Sequence, residues 1–89
     1  MAEVSAKTVQ GIAPVGGGSG TASLFTTVVF VRGTKAAQND VFTVTGLTTI
    51  IGAYLEFASG AVETKTYSTN ILTLTSATTG VVSGLCWGT

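Results

Sequence analysis

The chain has 89 residues, with four basic and four acidic side chains, one cysteine and no histidine. This length gives one domain, and the core of so short a chain is marginal in size. A single cysteine excludes an intrachain disulfide, and without histidine the usual zinc sites are excluded as well. Oligomerisation is the remaining common way to stabilise so small a fold, and we expect no cofactor.

Charged residues make up 9% of the chain, the net charge is zero and the mean hydropathy is +0.55. The surface of a soluble protein usually carries about 25–35% charged residues. We therefore expect neighbouring subunits to cover much of the surface of this chain. Four basic residues in a neutral chain also leave no basic patch of the kind that binds nucleic acid.

No segment is predicted to span a membrane. The longest apolar run, residues 28–31, is much shorter than the roughly 20 residues that a membrane helix needs. Residues 1–4 lack the basic start and the apolar run of a signal peptide. We expect neither a membrane nor nucleic acid among the partners of this protein.

The N-terminal part divides into two predicted segments. Residues 3–12 are expected to be extended, as a strand or as an arm, whereas residues 14–20 combine Pro14 with a run of glycines. Because glycine and proline disfavour regular elements, we interpret residues 14–20 as a hinge. The predicted organisation is an arm and Gly-rich linker over residues 1–20, followed by a body over residues 21–89. We expect the arm to dock on another subunit and not on its own body.

The body is rich in Thr, Val, Ile, Phe and Tyr, which favour strands, and no window shows a sustained helical period. Short strands separated by Gly, Ser and Asn predict an all-β fold, a small antiparallel sandwich or barrel of about six to seven short strands. Six strand candidates are predicted in the body, over residues 23–32, 41–47, 49–58, 61–67, 71–75 and 81–87.

Two of these strands, residues 23–32 and 49–58, carry apolar residues on both faces. Strict alternation along the second strand predicts that Ile51 and Ala53 share one face and that Ile50 and Tyr54 share the other. A single small sandwich buries only one face of each strand. We therefore expect an apolar subunit interface, hardly weakened by salt, whose candidate anchors are Val29, Val31, Ile50 and Trp87.

Two stretches resemble catalytic motifs but lack the residues that the chemistry needs. The glycines of residues 16–20 are not followed by the Lys-Ser or Lys-Thr of a phosphate-binding loop. Ser19 has no histidine anywhere in the chain to accept its proton. Glu56 and Glu63 are predicted to oppose each other across a turn at residues 59–60, as a surface pair relieved by Lys65. We expect no catalytic residue and no enzyme activity.

Cys86 has no basic neighbour to stabilise a thiolate, so we expect a packed and inert thiol. Trp87, close to the chain end, is expected to anchor the core or a subunit contact. A carbohydrate- or ligand-binding module that uses Tyr54, Tyr67 and Trp87 remains an alternative interpretation.

Residues 43–53 (TVTGLTTIIGA), 71–75 (ILTLT) and 81–85 (VVSGL) resemble the small Thr- and Gly-rich β proteins of tailed bacteriophages, which include head decoration (capsid cement) proteins. The resemblance covers roughly residues 40–89 and is one of Thr- and Gly-rich composition and of similar length. It implies a virion structural protein on the capsid surface that is often a trimer and contacts the major capsid protein or another lattice protein. It transfers no catalytic residue to this chain.

Three functional hypotheses follow from the sequence. The first is a capsid decoration protein that stabilises the head lattice as a homo-oligomer. The second is the subunit of a self-assembling β-filament or fibre, in which the N-terminal arm of one chain completes the sheet of the next by strand addition. The third is the small carbohydrate-binding module.

Overall fold

The structure is a computed structural model that describes residues 2–11 and 27–89. These residues form seven strands and no helix, so the all-β prediction is confirmed. The strands are β1 (Ser5–Gly11), β2 (Thr27–Lys35), β3 (Asp40–Thr43), β4 (Ile50–Phe57), β5 (Lys65–Ser68), β6 (Ile71–Leu74) and β7 (Gly80–Gly88). Over the described ranges, no helix long and apolar enough to cross a membrane is found.

The strands form two antiparallel sheets that pack as a small sandwich. The larger sheet has the order β1-β2-β7-β4 and the smaller sheet has the order β3-β6-β5. Alternate residues of each strand point between the sheets and are buried there, as the period of two requires. The buried apolar residues are Val4, Val29, Val31, Phe42, Val44, Leu47, Ile50, Ala53, Leu55, Phe57, Leu72, Leu74, Val82 and Cys86.

A β-bulge in β4 changes which residues face the core. The pairing of β4 with β7 shifts register between Ile50 and Gly52, so one extra residue is inserted at this point. Ile50 is consequently buried and Ile51 is 40% exposed, which is the reverse of the predicted alternation. Beyond the bulge, the predicted alternation is correct, since Ala53 is buried and Tyr54 is exposed.

Hydrogen bonds join the two sheets along both of their sides. On one side, Val4 N–H donates to the Val41 carbonyl (3.0 Å), and Val41 N–H donates to the Ala2 carbonyl (2.9 Å). On the other side, Glu63 N–H donates to the Leu55 carbonyl (3.0 Å). These bonds satisfy strand edges that would otherwise be open to pairing with other chains.

The N-terminal arm lies on its own body in this structure, and this corrects the expectation that it docks elsewhere. Strand β1 pairs with β2 of the same chain, with Val9 opposite Val31. Just before β1, the Val4 side chain is 4% exposed within the core. The arm stays because it pairs with an edge of β2 and fills core volume at the same time. The predicted hinge over residues 14–20 and the boundary at residues 20 and 21 lie outside the described residues.

Two predicted strands are shorter in the structure. The candidate over residues 41–47 ends at Thr43 because the chain turns at residues 45–46, where Gly46 has a φ of +99° that favours glycine. The candidate over residues 61–67 becomes a strand only from Lys65. The predicted turn at residues 68–70 is present, and Thr69 there has a positive φ of 54°.

A buried ion pair connects both sheets near one end of the sandwich. Lys35, the last residue of β2, and Glu63, just before β5, are both fully buried, and Lys35 Nζ lies 2.7 Å from Glu63 Oε1. Lys35 Nζ also donates to the Ser76 carbonyl (2.5 Å) and to Ser76 Oγ (3.1 Å). Ser76, just after β6, donates its N–H to Glu63 Oε1 (3.1 Å) and its hydroxyl to Glu63 Oε2. All three ammonium protons of Lys35 therefore have acceptors.

The ion pair corrects the predicted arrangement of Glu63. We expected Glu63 to form a surface pair with Glu56, but the bridge across the turn joins Glu56 to Val62, one residue out of the predicted register. That shift points Glu63 to the opposite face, where its carboxylate is fully buried against Lys35.

Two further carboxylates attach loops and the chain start to the sandwich. Burial alone raises the pKa of Glu3, but hydrogen bonds from Thr43 and the charge of Lys7 outweigh this and hold the pKa below 4.5. The Ala36 N–H donates to Asp40 (2.8 Å), and this bond is the main reason why the pKa of Asp40 lies below 3.8, against a smaller opposing effect of burial. Asp40 thereby fixes the turn between β2 and β3.

We predict that removing Glu63 alone is far more harmful than removing both charges of the pair. Glu63→Ala leaves the Lys35 ammonium buried without its carboxylate and should lower the free energy of unfolding by about 3–5 kcal/mol. The combined Lys35→Met and Glu63→Leu variant carries no lone charge and should retain most of the stability. Urea denaturation at pH 7 measures both variants. A cost of less than about 1 kcal/mol for Glu63→Ala would contradict the buried ion pair.

We predict an acid-sensitive contribution to stability from Glu3 and Asp40. Because both pKa values are lower in the folded chain than the ordinary 4.5 and 3.8, the two carboxylates contribute their full stability above these values. The contribution is lost as the pH falls through the folded pKa values. Urea midpoints at pH 6 and pH 3 should therefore differ less for the Glu3→Gln, Asp40→Asn double variant than for the parent chain. An equal loss in the two proteins would contradict this assignment.

Candidate assembly surface

The outer face of the larger sheet carries a block of apolar and aromatic side chains across three strands. Residues directly opposite each other in neighbouring antiparallel strands point to the same face, so the register defines three rows across β2, β7 and β4. The rows are Val28–Trp87–Gly52, Phe30–Leu85–Tyr54 and Arg32–Ser83–Glu56. We call these nine residues the outer face.

The middle row of the outer face is both apolar and accessible. Phe30 is 50% exposed and Tyr54 is 46% exposed, with the half-buried Leu85 between them. A shallow groove of about 320 Å³ follows this row, and Gln10 of β1 also contributes to its lining. Large aromatic side chains in such an accessible row are typical of binding surfaces, because exposed aromatic area is costly in water.

In the first row, the side chain of Trp87 reaches from β7 across to β4. This ring lies directly over Gly52, and a β-carbon at position 52 would overlap the ring. Gly52 thus provides the flat site on which the half-buried indole rests. Trp87 is held in place by its own sheet and presents its remaining surface on the outer face.

The third row carries one positive and one negative charge. Arg32 is exposed and Glu56 is half-buried, and they lie on either side of Ser83. The ion pairs between described residues are Lys7–Glu3 and Lys35–Glu63, so neither Arg32 nor Glu56 belongs to one. No charge of another described residue neutralises them.

The outer face of the smaller sheet has different chemistry. Its residues are those opposite each other on β3, β6 and β5 that point away from the core, namely Val41, Thr43, Thr66, Ser68, Ile71 and Thr73. Four of these six are hydroxyl side chains, which water solvates well. The larger sheet therefore carries the more apolar of the two outer faces.

Three of the four predicted interface anchors lie in the core and are corrected. Val29 is fully buried, Val31 is 2% exposed and Ile50 is 4% exposed, so a neighbouring subunit cannot reach them. On β2 the alternate residues Val28 and Phe30 point outward instead. The sequence did not show which face of an apolar strand is buried, because both faces of β2 look alike. Trp87 does lie on the outer face.

The aromatic trio of the ligand-binding hypothesis is not brought together. Tyr54 and Trp87 share the outer face. Tyr67 instead lies on β5, opposite the buried Leu72, and donates its hydroxyl to the Ile51 carbonyl (2.8 Å). Tyr67 therefore connects the edge strand β5 of the smaller sheet to the edge strand β4 of the larger sheet.

The remaining candidate residues offer little chemistry. Ser19 lies outside the described residues. No group of three or more His, Cys, Asp or Glu side chains that could hold a metal occurs among residues 2–11 and 27–89.

Comparison with known proteins finds no matching family model, curated protein or solved structure.

Cys86 lies on the core side of β7, opposite Val29 and Ala53. Its side chain is fully buried, and burial raises the pKa of the thiol to about 11. The packing part of the sequence prediction is confirmed.

We predict that native Cys86 resists thiol reagents. With a pKa of about 11, only about one thiol in a thousand is ionised at pH 8, and the sulfur is enclosed by the core. Labelling with 5,5′-dithiobis(2-nitrobenzoate) should be complete in urea and slow in buffer. Cys86→Ala should cost about 1–2 kcal/mol through the cavity that it leaves. Labelling of the folded chain as fast as that of the unfolded chain would contradict the buried assignment.

Proposed function

We propose that this protein is a non-enzymatic structural subunit that decorates a virus capsid, and that the outer face of its larger sheet is its assembly surface. The observation that carries the proposal is the accessible row of Phe30, Leu85 and Tyr54 on a chain with few charges. Apolar surface of this kind is stabilised when another protein covers it.

The capsid as the setting comes from the resemblance of residues 40–89 to small phage decoration proteins. The two-sided chemistry of the sandwich supports such a role. A subunit on a capsid needs one surface that contacts protein and another that meets water, and the Thr-rich face of the smaller sheet suits the second task.

The filament hypothesis has less support. It requires that the arm of one chain complete the sheet of the next, but β1 already occupies the edge of β2 in its own chain. The carbohydrate hypothesis also has less support, because Tyr67 is engaged with Ile51 and away from Tyr54.

We predict that polar substitutions on the outer face weaken capsid binding. The test mixes purified chain with capsids that are assembled from the major capsid protein of the same virus and measures co-sedimentation. The parent chain should bind in a saturable way, whereas Phe30→Ser with Tyr54→Ser should weaken binding about tenfold or more, as expected for aromatic anchors.

A matched control makes the same kind of change on the other sheet. Val41→Ser with Ile71→Ser removes two half-buried apolar side chains from the smaller sheet and should leave binding within about twofold. Thermal unfolding of both double variants shows that they are folded. Failure of the parent chain to bind, or equal binding of the outer-face variant, would contradict the proposal.

A further inference from the structure

We propose that the outer face binds a second copy of this chain about a twofold axis that runs along β7. The inference rests on the proposed function only in taking the outer face as an assembly surface, and it names the partner. It follows from the order of the three rows, which is self-complementary.

The central strand of the outer face defines the axis. Strand β7 lies between β2 and β4, and both neighbours are separated from it by the usual strand spacing of about 4.8 Å. A twofold rotation about a line along β7 keeps each row at its own level and exchanges β2 with β4. Two sheets packed face to face keep their strands within about 30° of each other, so the rows of the two copies stay in register.

The exchange places opposite charges together. At the level of Ser83, Arg32 of one copy lies over Glu56 of the other, and the same pair forms again on the other side of the axis. Both residues lack an ion pair among the described residues, as described above. Such complementarity fixes the register of an interface more than it adds affinity.

The exchange also matches the apolar side chains. At the next level, Phe30 of one copy meets Tyr54 of the other, and Leu85 meets its own counterpart on the axis. Further along, Trp87 lies near the axis, and Val28 of one copy faces the Trp87 ring that covers Gly52 in the other copy. Aromatic pairs in such contacts add to the effect of apolar burial, so the middle row supplies most of the affinity.

An interface of this kind is isologous and closes as a dimer, because the same patch is used on both copies. The resemblance to phage decoration proteins implies a trimer instead. Measuring the oligomeric state therefore distinguishes the twofold dimer from that trimer. Strand β1 lies beside the three strands of the outer face, stays outside the interface and is available to a capsid, while the smaller sheet still meets water. Substitutions on the outer face would then weaken capsid binding by breaking the dimer.

The test uses charge reversal in the full chain. Arg32→Glu places two acidic residues opposite each other twice in a homodimer, and Glu56→Arg does the same with two basic residues. Each single variant should raise the dimer dissociation constant by about tenfold or more at low salt. The double variant, Arg32→Glu with Glu56→Arg, restores both pairs and should dimerise like the parent chain.

A mixture of the two single variants provides the sharpest arm of the experiment. In a heterodimer about the same axis, the introduced glutamate of one variant faces the introduced arginine of the other. On the other side of the axis, the unchanged Glu56 of the first variant faces the unchanged Arg32 of the second. Mixing should therefore restore the dimer seen by sedimentation velocity.

The matched control for charge reversal is Lys65→Glu. This substitution changes the net charge as Arg32→Glu does, but Lys65 lies on the smaller sheet. Because that sheet is outside the proposed interface, the control should dimerise normally.

The outcomes separate this inference from the proposed function. A parent chain that is monomeric or trimeric, or single variants that dimerise unchanged, would overturn the twofold interface. Capsid binding by a monomer would overturn the inference and leave the proposed function standing. A dimer that follows the charge-reversal pattern but binds no capsid would support the inference and count against the proposed function.

Discussion

The buried contact of Lys35, Glu63 and Ser76 is the interaction on which the sandwich depends most. Desolvating two charges costs several kcal/mol for each ion, and the cost is offset only when geometry and hydrogen bonding are nearly complete. Here the ammonium has three acceptors, and every buried side-chain N or O atom among the described residues has a partner. The contact joins the end of β2 to the chain on either side of β5 and β6. A misplaced strand would leave a buried charge alone, so the network selects one arrangement of the two sheets.

Most of the charged side chains of this chain are engaged in contacts within the fold, and this leaves few charges on its surface. Of eight charged side chains, two form the buried pair, Glu3 and Lys7 form a second pair, and Asp40 binds the turn before β3. Arg32, Glu56 and Lys65 remain outside these contacts. Two of these three lie on the outer face, on either side of Ser83. Two of the three charges that the fold does not use thus lie one row away from the exposed Phe30 and Tyr54, and apolar side chains beside a few charges are the composition that the proposed assembly surface needs.

Much of this architecture could be predicted from sequence, because period-two alternation and β-branched composition are local signals. Four features could not be predicted, because they depend on contacts between residues that are far apart in the chain. The bulge at Ile50 and Ile51 arises only when β4 pairs with β7. The burial of Glu63 depends on Lys35, which is 28 residues away in the chain. The docking of β1 depends on a vacant edge of β2. Which face of β2 is buried depends on the side that the smaller sheet covers. The sequence pattern therefore indicated the buried Val29 as an interface residue and not the exposed Phe30.

A cross-link at the proposed axis tests most directly whether a second copy of the chain covers the outer face about a line along β7. Leu85→Cys places a thiol where the two copies meet, while the native Cys86 is buried and does not compete. Thr66→Cys, on the smaller sheet, is the matched control. With a short bismaleimide at low protein concentration, Leu85→Cys should give covalent dimers, whereas Thr66→Cys and the parent chain should stay monomeric. Equal yields of dimer from the two cysteine variants, or none from Leu85→Cys, would contradict it.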